Sequence, residues 1–162
     1  PDLGNSPYTM ARRLEGAKRR TVAAVGLSAA VILAVSVAAP IFGWTSLYAA
    51  LGTACHQDVS RCLSIGDMPM ALCARCAAIF AGLLVGSGLV LRLAPYRYLA
   101  LRLFLAAVLL TVFDVMAETA GLYSNLIGLR MATGWGLGLC VVLTIGCRER
   151  SEFRSNPTLI QP

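Results

Sequence analysis

The sequence predicts an all-α, polytopic membrane protein: four transmembrane helices, a short interfacial or re-entrant helix, and a Cys/His loop on the outer face. Three observations predict it. Of the 162 residues, 57% are hydrophobic and only 14% charged, at a mean hydropathy of +0.71. Soluble domains run to about 25% charged, so the chain lacks the polar surface that a water-soluble fold of this size requires. The apolar residues fall in long uncharged runs, and the lysines and arginines stand beside those runs, where they set membrane orientation.

Residues 1–20 are polar and end in Arg12, Arg13, Lys18, Arg19 and Arg20, a basic cytoplasmic segment. From Thr21 to Ala39 there is no charge; at 1.5 Å per residue this run spans ~28 Å, one hydrocarbon core, and Pro40 punctuates it. A basic segment before an apolar run also describes a signal peptide. The run is longer than such a region, and Ala38-Ala39-Pro40 is a poor cleavage site, so it reads as a retained first helix. Ile41 to Ala54 is too short to cross; Trp44 and Tyr48, four apart, suit an interfacial position. Residues 55–72 read as a loop broken by Gly66 and Pro69.

A second helix is expected from Cys73 to Leu91, a third from Leu99 to Ala120, and a fourth from Leu126 to Cys147, with a turn at Gly121–Asn125 between the last two. Residues 21–147 thus form one four-helix domain, and 148–162 a cytoplasmic tail. Of the fourteen Lys/Arg, all but Arg61, Arg75 and Arg130 lie in the N-terminal segment, the 92–102 loop or the tail. The positive-inside rule places both termini in the cytoplasm and the 55–76 and 114–130 segments outside. An even number of crossings requires the same arrangement. The net charge of +6 is therefore topological, and no basic segment interleaved with aromatics points to nucleic acid.

Chemistry concentrates in one place. Cys55-His56, Cys62 and the pair Cys73-Ala-Arg-Cys76 hold four of the six cysteines and the only histidine. A C-x-x-C pair opening a helix puts both sulfurs on one face, where free backbone N–H groups favour thiolate. A second group upstream across a Gly/Pro loop gives the layout of a four-ligand site. The expected ligands are Cys55, His56, Cys73 and Cys76, with Cys62 a weaker candidate. Zinc suits this set best; an iron–sulfur cluster needs four thiolates, and Met68 and Met70 keep copper open. Structural disulfides and a redox-active pair compete with a metal, and His56 could be a bystander. Cys140 and Cys147 read as packing residues.

Beside this cluster, Asp114 and Glu118 share a face of the third helix, and Arg130 lies one turn inside the fourth. Charges at that depth are paired as a rule, and Arg130 with Asp114 or Glu118 is the expected pair; a structural and a functional role fit it equally. Asn125 could cap the fourth helix. Gly82 and Gly86, in line with Ala78, and Gly134 and Gly138, in line with Arg130, suit close helix contact.

The string Cys55-His56-Gln57, Arg61, Cys73-x-Arg75-Cys76 and Gly82 resembles an uncharacterised family of small prokaryotic membrane proteins, a domain of unknown function. Asp114 and Asn125…Arg130-x-x-Thr133-Gly134-x-x-x-Gly138 resemble its second motif. Cys62 stands where the pattern shows Ser, which weakens it as a ligand, and Ala77 stands where Thr or Gly is usual.

With no nucleophile triad or phosphate loop, the chain reads as a metal-binding protein of the prokaryotic inner membrane. It is expected to be an accessory or electron-transfer-associated subunit of a larger membrane complex, more a component than an enzyme in its own right. Two alternatives stand: a thiol–disulfide oxidoreductase using Cys73 and Cys76, and a quinone-site or proton-relay subunit using Asp114, Glu118, Arg130 and His56. Gln57, Arg61 and Arg75 complete the polar residues expected around the site.

Overall fold

The computed structural model describes residues 7–66, 68–92, 96–123 and 126–147. Four helices are long and apolar enough to cross a membrane: α1 (Pro7–Phe42), α3 (Ala74–Arg92), α4 (Arg97–Thr119) and α5 (Ile127–Ile145). A short α2 (Thr45–Gly52) follows α1, and a two-stranded antiparallel hairpin, β1 (Cys62–Ile65) and β2 (Met68–Cys73), leads into α3. The expected fold class therefore stands, with one addition. The 55–72 segment is not a plain loop: its end pairs as a hairpin whose register sets Cys62 opposite Cys73.

Two other expectations change. The basic N-terminal segment is helical from Pro7, continuous with the first span. Pro40 does not end that helix, which runs on to Phe42. A proline near the C-terminal end removes one backbone donor without stopping the last turn. Termination comes at Gly43, whose φ of +64° admits the left-handed conformation, with the Trp44 N–H bonding the Ala39 carbonyl at 3.1 Å. This is the Schellman closure for which glycine is favoured. The 148–162 tail and Asn125 lie outside the described residues; the residue bounding α5 is Leu126, which makes no side-chain cap.

The spans form a row: α1 packs on α3, α3 on α5, and α5 on α4. The α3–α5 contact is the tightest, because glycines remove the side chains that would hold the helices apart. A Cβ on Gly82 would strike the Trp135 carbonyl and lie 2.8 Å from the Leu139 nitrogen; one on Gly138 would strike the Ile79 carbonyl. Gly134 similarly abuts the carbonyl of Arg75. The expected glycine seam is present and reciprocal. It locks the start of α3 against α5, and that start carries the chemistry.

Candidate metal centre and the charge network beside it

Cys73 is the last residue of β2, and Ala74 begins α3. The helix start turns the N–H groups of Cys76 and Arg75 toward the Cys73 sulfur, as donors without helical partners do at any N-terminus. Cys55, just beyond α2, is buried and accepts a 3.3 Å bond from the Cys73 N–H. The sulfurs of Cys55, Cys73 and Cys76 all lie within 4.8 Å of one another. They are walled by Leu72 and Ala77 and by Ile32, Leu33, Leu51 and Phe80, so three elements supply the thiols and an apolar shell encloses them.

Gln57 holds this corner. It sits at φ +48°, a left-handed conformation uncommon for a side chain with a Cβ, and its amide donates to the carbonyls of Tyr48 at 2.7 Å and Ala71 at 3.0 Å. The Tyr48 hydroxyl donates in turn to the Pro69 carbonyl. These bonds tie α2 to β2 and bring Cys55 against the C-x-x-C pair.

The donor set fits a thiophilic ion. With Zn–S bonds of about 2.3 Å, tetrahedral thiolates stand ~3.8 Å apart, so the three sulfurs need draw in by at most about 1 Å. All six cysteines are free thiols. Bonding from Cys76, and then from backbone N–H groups and Cys55, holds the Cys73 thiol well below its ordinary value, at about 5, against the opposing effect of burial. Cys62 goes the other way: burial, and then the negative charge of Cys73, push it up to about 11. It is buried opposite Cys73 but stands outside the three-sulfur group. His56 is exposed and also stands outside that group. Cys140 and Cys147 are buried far along the sequence, Cys147 packing with Ala100 and Leu143.

Arg75, between the two pair cysteines, points the other way. Its guanidinium bonds Asp114 of α4, while Arg130 of α5 pairs with Glu118. Asp114 is 2% exposed and Arg130 3%, burial at which an unpaired charge is costly. Asp114 also receives the Tyr123 hydroxyl, and the Thr133 hydroxyl at 3.4 Å. Bonding to Asp114 raises the Tyr123 phenol above its usual value. Arg61 completes the set, 3.1 Å from Asp58 and 3.6 Å from Glu118. The pairing expected for Arg130 is found with Glu118. That of Arg75 with Asp114 was not foreseen, nor was the role of Tyr123, for which the available signal was a hydroxyl in the short turn just after Asp114 and Glu118.

A four-span helical membrane protein with a three-thiol group and an arginine–carboxylate network at one end is the class these features define. No curated protein and no solved structure matches the chain. Residues 55–144, more than half of it, match the family described as "Predicted membrane protein (DUF2085)". The chain belongs to that family, and the matched stretch contains every residue of the two groups just described.

Proposed function

We propose that this is a metal-binding integral membrane protein of the prokaryotic cytoplasmic membrane, acting as an accessory or electron-transfer-associated subunit of a larger membrane complex. One observation carries the reading: three thiols from the α2 end, β2 and α3 meet within 4.8 Å inside an apolar shell. Zinc is the ion of choice, held by Cys55, Cys73 and Cys76, the fourth position falling to His56 or to an exogenous ligand. The bound ion would fix the hairpin to α3 and, if redox-active, carry an electron. The charge asymmetry of the loops supports cytoplasmic termini and an outer thiol site. The test is elemental analysis and absorption spectroscopy of purified protein. About one equivalent of metal, lost in Cys73→Ser and Cys76→Ser but retained in Cys140→Ser, is expected; a folded sample free of zinc, iron and copper overturns the reading.

A second reading is thiol–disulfide exchange. It is favoured by the hydrogen-bonded Cys73–Cys76 pair at a helix N-terminus, where Cys73 is the better thiolate. Cys73 would attack a substrate disulfide, releasing one thiolate and forming a mixed disulfide. Cys76 would then displace the second substrate thiolate and close the Cys73–Cys76 bond, leaving the substrate reduced by two electrons. Rapid alkylation of Cys73 in untreated protein supports this; slow alkylation that quickens only after chelation supports the metal instead.

A further inference from the structure

Between the segment before the hairpin and the last turn of α4 lies an open cavity of about 350 Å3, whose walls include Arg61, Arg75, Val115, Glu118 and Tyr123. It is on the opposite side of the α3 start from the thiols, and its polar lining is mixed: two guanidinium groups beside the Glu118 carboxylate and the Ser60, Thr119 and Tyr123 side chains. Each is only partly satisfied. Arg75 reaches Glu118 at 3.8 Å and Arg61 reaches it at 3.6 Å, both too long for hydrogen bonds. The Arg75 Nε is buried with no hydrogen-bond partner and is closed to the cavity, so Arg75 would meet a ligand there through its terminal nitrogens.

The neighbouring acids do not saturate these donors. Asp114 takes an Arg75 terminal nitrogen together with Tyr123 and Thr133. Glu118 is held by Arg130 from inside the protein. Asp58 meets Arg61 from its solvent side, where both groups are about half exposed. Two forks of donors, approaching from different elements, therefore face one open space. A planar carboxylate can engage one such fork; a tetrahedral phosphate offers oxygens to both.

We propose that this cavity binds a phosphate group through Arg61 and Arg75. The group can belong to a soluble phosphate or to a lipid headgroup. The cavity lies at the end of α4, where Val115 and the well-exposed Met116 carry an apolar flank away from it, so an acyl chain could follow the same helix. None of the three thiols is among its lining residues.

The test uses the full chain in a phosphate-free maltoside detergent, titrated with inorganic phosphate in one arm and phosphatidylglycerol in the other, and read by native mass spectrometry. Saturable one-to-one binding is expected in at least one arm; phosphatidylglycerol alone would identify a lipid site, and phosphate in its own arm a soluble one. Arg61→Gln should weaken binding by roughly tenfold or more, the usual effect of losing a charged hydrogen bond. Arg61→Lys, which keeps the charge but loses the fork, should fall between the wild type and Arg61→Gln. Arg92→Gln, at the far end of α3, is the control for diffuse attraction. The proposal is overturned if neither ligand saturates, or if Arg61→Gln and Arg92→Gln weaken binding alike.

Discussion

At the scale of single residues, Cys73 and Gln57 do most to shape the thiol corner. Cys62 faces Cys73 across the hairpin, yet the two differ in chemistry: one is stabilised as a thiolate by donors at a helix start, the other kept protonated by burial. With a pKa near 11, only about one Cys62 in ten thousand is thiolate at pH 7. After chelation, iodoacetamide should therefore modify Cys73 far faster than Cys62, with peptide mass mapping as the readout. Gln57→Ala removes the two bonds through which the Gln57 amide bridges α2 and β2, leaving only the Tyr48–Pro69 bond between them. A loss of about 1–3 kcal/mol is expected, measured by denaturation in detergent, with weaker metal retention because Cys55 loses its anchor. The thiols were legible in the sequence because cysteine spacing announces a ligand set. The place of His56 was not, since adjacency to Cys55 does not say which way a ring points, and here it is exposed. Gln57 was visible only as part of a motif; its φ of +48° belongs to tertiary structure.

At the scale of elements, the last three spans were readable to within two residues, because an uncharged run of fixed length leaves few choices in a bilayer; the first was not, since its helix extends back through the basic segment to Pro7. The hairpin was hidden. Its strands are short, and Gly66 and Pro69 read as loop breakers; Gly66 in fact supplies the φ of +60° at the turn. The α3–α5 seam was signalled by glycine spacing, and it makes a clean prediction. Gly82→Ala or Gly138→Ala should cost about 2 kcal/mol or more, since the new methyl meets backbone that cannot rotate away. Gly136→Ala, where a Cβ meets nothing within 4 Å, should be neutral or slightly stabilising. Comparing thermal denaturation of the variants in one detergent decides it.

At the scale of the whole molecule, the helices meet in the spatial order α1, α3, α5, α4, and α4 is fastened to α3 by Arg75–Asp114 and Arg75–Glu118. Removing one partner of a buried pair is worse than removing both. Glu118→Gln should therefore destabilise by about 3 kcal/mol, by stranding Arg130, and Glu118→Gln with Arg130→Met should recover much of that loss; denaturation of single and double variants measures it. The presence of these charges was legible in the sequence, and so was an acid on α4 as the partner of Arg130, but the pairing of Arg75 with Asp114 was not. Which arginine meets which acid depends on the neighbour order of the spans, and hydropathy does not encode that order. The order has a consequence for biogenesis. Because α4 precedes α5 in the chain yet touches mainly α5, it leaves the ribosome before its permanent neighbour exists, carrying two acids toward the lipid. Arg61 and Arg75 have by then been synthesised, so they are the counter-ions at hand while Arg130 is still to come, and loss of Arg75 should show first as poor insertion of the nascent chain rather than as a defect of the finished protein.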